Sequence, residues 1–135
     1  MRVLLLGAAA LVAAGAARPA PSGPAAGVYT AKQAEEGAQL YAERCAMCHG
    51  ASLEGTYETP GLTGKFVANW GRMPLGDLYD YLGRAMPQFA PGSLTPEENA
   101  RIVAFLLKAN GMPAGARPLP ADPAVLHGIA FTAAR

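Results

Sequence analysis

The sequence predicts an all-α fold of three or more helices, and three observations carry that expectation. Ala34, Gly37, Ala38 and Tyr41 recur at helical spacing. Leu75, Leu78, Tyr81 and Leu82 make one apolar stripe over residues 74–85. Ile102, Phe105, Leu106 and Ala109 make another, closed by Asn110-Gly111, a pair that ends helices.

Taken in order, residues 1–17 have a signal-peptide outline: Arg2 is the one charge, and an apolar, Ala-rich run follows. The run is shorter than the roughly 20 residues that span a bilayer. Ala14-Gly15-Ala16 offers a small-x-small cleavage site, and neighbouring alanines would also serve. A retained membrane anchor is the alternative. Pro19, Pro21 and Pro24 then make residues 18–29 an extended linker.

The whole chain has 11 basic and 10 acidic residues; without Arg2 and Arg18 the balance is nine to ten, a net charge of −1. That excludes a nucleic-acid footprint. The positive mean hydropathy owes much to the leader. About 110 residues remain, a small domain with a thin core by surface-to-volume scaling, so a bound group is expected to fill part of it.

Thr30 and Gln33 suggest a capping box at the start of the first helix. Thr95-Pro96-Glu97-Glu98 is a stronger start signal, with an N-cap threonine, proline at the first helical position and glutamate at the third. Residues 113–135 are rich in Pro and Ala without a sustained period, and either wrap the domain or fray.

Cys45-Ala46-Met47-Cys48-His49 is the one strong motif, and it matches the attachment signature of c-type haem. Two thiols three positions apart on a helical turn face the same way, so each can add across one haem vinyl group. The adjacent histidine is then carried under the iron. A thioredoxin-type redox pair would need a strand before the motif, where the pattern is helical. A zinc site would need a fourth ligand, and the only other histidine is His127.

With these residues the chain resembles the mono-haem class I cytochrome c family, in particular small bacterial periplasmic members and the cytochrome domains that accompany periplasmic dehydrogenases. The resemblance covers residues 30–115, leaving 116–135 as a tail. It implies a cytochrome c-like fold packed around one covalent haem c, held by Cys45 and Cys48 with His49 as proximal iron ligand. It implies that Gly37 and Tyr41 mark where the first helix crosses the last, at the face carrying Ile102 and Phe105. It also implies that the Pro60 carbonyl accepts a hydrogen bond from the other ring nitrogen of His49.

The distal ligand is open among Met73, Met86 and Met112, since Met47 lies between the anchoring cysteines. The resemblance favours Met86, which follows a helix and precedes Pro87 in a loop leading to the last helix. Met73, His127 or an empty sixth position are the alternatives. Trp70 could reach a haem propionate and Arg72 could neutralise one. Tyr79, Tyr81 and Phe89 are expected to wall the distal side. No role falls to His127.

The resulting expectation is a periplasmic carrier of single electrons, not itself an enzyme. It would exchange electrons with redox partner proteins such as a periplasmic dehydrogenase or a membrane-bound oxidase or reductase, and would meet the membrane itself only if the leader is retained. One alternative is the cytochrome subunit of a dehydrogenase complex oxidising an alcohol or a sulfur compound. Another is a haem protein with a labile sixth position that binds small ligands or peroxide.

Overall fold

A computed structural model describes residues 27–131. The expected leader, most of the linker and residues 132–135 lie outside the described residues. Among the described residues there are six helices: α1 Ala31–Arg44, α2 Ala46–His49, α3 Lys65–Trp70, α4 Leu75–Ala85, α5 Pro96–Ala109 and α6 Pro123–Leu126. The all-α expectation holds, and the three long helices are the ones whose stripes could be read. The three short ones have too few residues to show a period.

The start of α1 is only half a capping box. Thr30 Oγ1 accepts the Gln33 N–H at 3.2 Å, but the Gln33 side chain turns outward. Its Nε2 donates to Leu119 O at 2.9 Å and its Oε1 accepts from Leu119 N at 2.7 Å. The amide thus clasps a later backbone segment instead of its own N-cap. At α5 both halves are present: Thr95 Oγ1 accepts from Glu98 N, and Glu98 Oε2 accepts from Thr95 N at 2.8 Å. That backbone hydrogen bond holds the Glu98 carboxyl below its ordinary pKa. The stabilisation is therefore complete above the ordinary carboxylate pKa and is lost as pH falls through the lowered one.

Helix α5 ends in a Schellman motif. Met112 N donates to Leu107 O at 3.0 Å and Gly111 N to Lys108 O at 3.1 Å, with Gly111 at φ +81°. Helix α4 ends at Ala85 because Pro87 pushes Met86 out of the helical region, to φ −123°, ψ 150°.

Helices α1 and α5 form the main packing pair. Gly37 lets their backbones touch: a Cβ there would overlap the Arg101 carbonyl oxygen and come within 3.0 Å of Phe105 Cβ. One turn along, the Tyr41 and Phe105 rings lie 5.1 Å apart. The predicted crossing is therefore at Arg101 and Phe105. Ile102, expected on the same face, is fully buried and lines the cleft described below.

The packed body extends past the boundary expected at residue 115. Leu119, Leu126 and Phe131 are buried, and backbone bonds run from Leu75 N to Ile129 O (2.8 Å) and from Phe131 N to Met73 O (3.2 Å). A Pro/Ala-rich segment without periodicity is placed by single anchors, not by a repeating face. His127, given no role from sequence, lies against Gly76 and pairs with Asp80 Oδ2 at 3.0 Å and Asp77 Oδ1 at 3.4 Å. Phe131 meets Phe66 edge-on at 6.0 Å, and Phe66 in turn lies against Trp70. Phe131→Ala is accordingly expected to cost about 3–5 kcal/mol, read as a lower midpoint of thermal unfolding. A frayed tail would leave the midpoint unchanged.

Candidate haem-binding site

The three long helices and the loop between α2 and α3 enclose a cleft of about 840 Å³, within the roughly 300–1,000 Å³ range of ligand and cofactor clefts. Cys45, Cys48 and His49 line it from the turn at α2, and Met86 and Phe89 line it from the end of α4 and the loop beyond. Leu78, Ile102 and Leu106 form apolar wall, all three buried.

The short α2 is set off from α1 at Cys45, whose N–H still donates to Tyr41 O at 2.8 Å. Both cysteines are free thiols. Burial pushes the Cys45 thiol up to about 11, outweighing the nearby Arg44 charge, so it stays protonated at neutral pH. Tyr41 caps the turn, its hydroxyl donating to Gly50 O at 2.6 Å. Burial, with the charges of Cys45 and Glu54 adding, pushes that phenol up to about 12, which keeps it a donor.

His49 Nδ1 lies 2.8 Å from Pro60 O, and a carbonyl can only accept, so Nδ1 carries the proton. Nε2 is then the nitrogen left for a metal. The loop that brings Pro60 there is drawn tight: Gly55 N donates to His49 O at 2.7 Å and Leu62 N to Leu53 O at 2.9 Å. Gly55 has φ +74°, and a Cβ there would press into the backbone of Thr59 and Gly61. These two contacts make glycine necessary.

Of the methionines, Met86 lines the cleft. Met73 is outside the lining and 40% exposed, its carbonyl bonded to Phe131. Met112 is buried elsewhere, its carbonyl accepting from the Tyr29 hydroxyl. Met47 is turned outward. His127 is engaged by two aspartates away from the cleft.

Trp70 lines the cleft, with its ring 5.5 Å from that of Tyr81. Arg72 does not: it is exposed on the turn after α3, away from the cleft where a propionate role was expected of it. Arg44 and Lys65 supply the cleft's basic groups instead, opposite Glu54 and Glu58 in charge. Sequence offered no signal for these four beyond their charge. Tyr79 also departs from expectation. Its ring is buried away from the cleft and its hydroxyl donates to Pro96 O at 3.0 Å, while Tyr81 and Phe89 line the cleft as expected.

These residues fit a covalent haem: two free thiols, a histidine with one nitrogen already held, a thioether and apolar walls share a single cleft. A family model described as "Cytochrome C oxidase, cbb3-type, subunit III" matches residues 32–106. A thiosulfate dehydrogenase of Stutzerimonas stutzeri (strain A1501) is 30% identical over 100 residues, covering 69% of this chain and 30% of that protein. Among solved structures, the sulfane dehydrogenase SoxCD from Paracoccus pantotrophus is similar with a TM-score of 0.48 at 29% identity, over 79% of this chain and 59% of that one. The chain thus spans less than a third of the curated relative it matches.

Proposed function

The chain belongs to the cytochrome c family described as cbb3-type cytochrome c oxidase subunit III, which binds covalent haem c, and on that premise we propose that it is an exported carrier of single electrons with His49 and Met86 as the axial pair. The observation that carries the reading is that Cys45, Cys48, His49 and Met86 line one cleft while Pro60 O holds His49 Nδ1. Haem, when bound, supplies one-electron chemistry at its iron.

The protein's own part is positional. Cys45 and Cys48 anchor the group from the α2 turn. Pro60 fixes the His49 tautomer and ring direction. Met86 is presented by the abrupt end of α4. Leu78, Ile102 and Leu106 exclude water, and Trp70, Arg44 and Lys65 are the donors suited to carboxylate side groups. A haem held by both His49 and Met86 would leave no iron position for substrate, which would confine it to outer-sphere transfer with redox partner proteins. The leader read in residues 1–17 supports a periplasmic location.

An optical spectrum of the protein made with haem-attachment machinery tests this. A haem that stays on the polypeptide after denaturation and cycles reversibly between two oxidation states, without binding carbon monoxide when reduced at neutral pH, is the expected result. Carbon monoxide binding at neutral pH would favour the ligand-binding alternative. Because the basic and acidic groups of the cleft balance, electron exchange with a partner is expected to depend only modestly on ionic strength. A steep fall with added salt would count against it.

The similarity to a protein named thiosulfate dehydrogenase favours a second reading, in which the chain is the cytochrome part of a dehydrogenase acting on an inorganic sulfur compound. Co-purification with a larger redox subunit from the native host distinguishes a dedicated subunit from a free shuttle.

A further inference from the structure

We propose that Asn110 is a positioning residue for the proximal side of the haem site, acting through Leu62 to hold the Pro60 carbonyl on His49. The inference rests on the reading of His49 as an axial ligand and adds a residue that neither lines the cleft itself nor touches the histidine, but bonds the carbonyls of two lining residues, Leu62 and Leu106.

Asn110 ends α5, and its side-chain amide has two N–H groups to place. One donates to Leu106 O at 2.8 Å, within its own helix, and the other crosses to Leu62 O at 3.0 Å. Leu62 is thereby held through both its backbone polar groups, since its N–H donates to Leu53 O at 2.9 Å. Only Gly61 separates it from Pro60, and Gly61 is itself pressed against the Glu54 backbone, where a Cβ would come within 2.9 Å of Glu54 O. Pro60 fixes one backbone angle by its ring. The carbonyl that meets His49 Nδ1 at 2.8 Å therefore has little freedom left once Leu62 is tied.

That tie runs between the last long helix and a loop 48 positions away in sequence. It is the bond that refers the loop to α5. Without it, the loop keeps its local turns but loses its reference to α5. A carbonyl held on Nδ1–H makes the imidazole a stronger donor, which favours the oxidised iron. Loosening it shifts the balance toward the reduced form.

The test compares Asn110→Ser and Asn110→Leu holoproteins with wild type, with Thr95→Ala as a variant that weakens α5 at its other end. The expected result is a shift of the oxidation–reduction equilibrium toward the reduced form by roughly 3- to 10-fold, below the ~10–100-fold effects of removing a direct outer partner of a metal ligand. The covalent haem and the sulfur-to-iron charge-transfer band stay, and Thr95→Ala leaves the equilibrium unchanged. A folded Asn110 variant with the wild-type equilibrium overturns the proposal, because a merely structural asparagine would cost stability alone.

If neither variant folds, hydrogen exchange in wild-type holoprotein decides. Protection of the His49 Nδ1 proton equal to that of the Asn110 side-chain amide supports the link, and much faster exchange at His49 overturns it. A wild-type protein lacking covalent haem or histidine ligation would instead sink the functional reading itself, so the two failures are distinguishable.

Discussion

Met86→Ala is expected to abolish the near-infrared sulfur-to-iron band while the haem stays covalently attached, and to open the reduced protein to carbon monoxide. The reduction potential should fall on the order of a few hundred mV, a sizeable part of the roughly 0.8 V over which axial ligands set haem potentials. Met86 is the methionine among the cleft-lining residues, whereas Met73 is half-exposed with its backbone tied to Phe131, and Met112 is buried beside Tyr29. A thioether favours the reduced iron, so its loss moves the potential downward. Met73→Ala serves as the control and is expected to leave band and potential as they were. A band that survives Met86→Ala would make the axial assignment wrong.

Gly37→Ala is expected to lower thermal stability more than any single change on the exposed side of α1. Alanine gains about 1 kcal/mol over glycine in a helix interior. Here the added methyl would overlap the Arg101 carbonyl, a backbone atom inside α5 that cannot rotate away. The helices must separate, at a cost of about 3 kcal/mol or more. The packing penalty exceeds the propensity gain, for a net loss of about 2 kcal/mol. At roughly 4–8 °C per kcal/mol for a domain of this size, the midpoint falls by about 8–16 °C. Gln39→Ala, on the exposed face of the same helix, is expected to shift it little. An unchanged midpoint in Gly37→Ala would mean that the helices do not cross where the glycine lies.

The parts of the site that could be read from sequence are those whose chemistry demands a local arrangement. Cys45, Cys48 and His49 must be near neighbours to hold one haem, so their spacing alone announces them. The start of α5 was equally legible, because Thr95, Pro96 and Glu98 satisfy backbone groups within a single turn. Pro60 and Met86 needed the family resemblance, since Pro-Gly and Met-Pro pairs also occur in ordinary turns.

What stayed hidden depends on long-range partners. Gln33 fits a capping box by spacing, yet Leu119 is the partner it has in the fold. Trp70 and Arg72 are two residues apart, and the end of α3 turns one toward the cleft and the other to solvent. Asn110 reads as a helix stop, and nothing near it in sequence points to Leu62. The packing of residues 116–131 was invisible for the same reason: Leu119, Leu126 and Phe131 each find a separate place, without a period to reveal them.

The cleft's back wall has a bearing on the timing of assembly. Ile102 and Leu106 lie 54 to 61 residues downstream of the two thiols, a long-range contact that forms late compared with a local turn. A chain emerging from its N-terminus presents Cys45 and Cys48 before the helix that will cover them exists. During that interval the segment carrying both thiols is an open strip of backbone, not yet walled by α5. Docking of α5 against Gly37 then ends the interval and closes the back of the cleft.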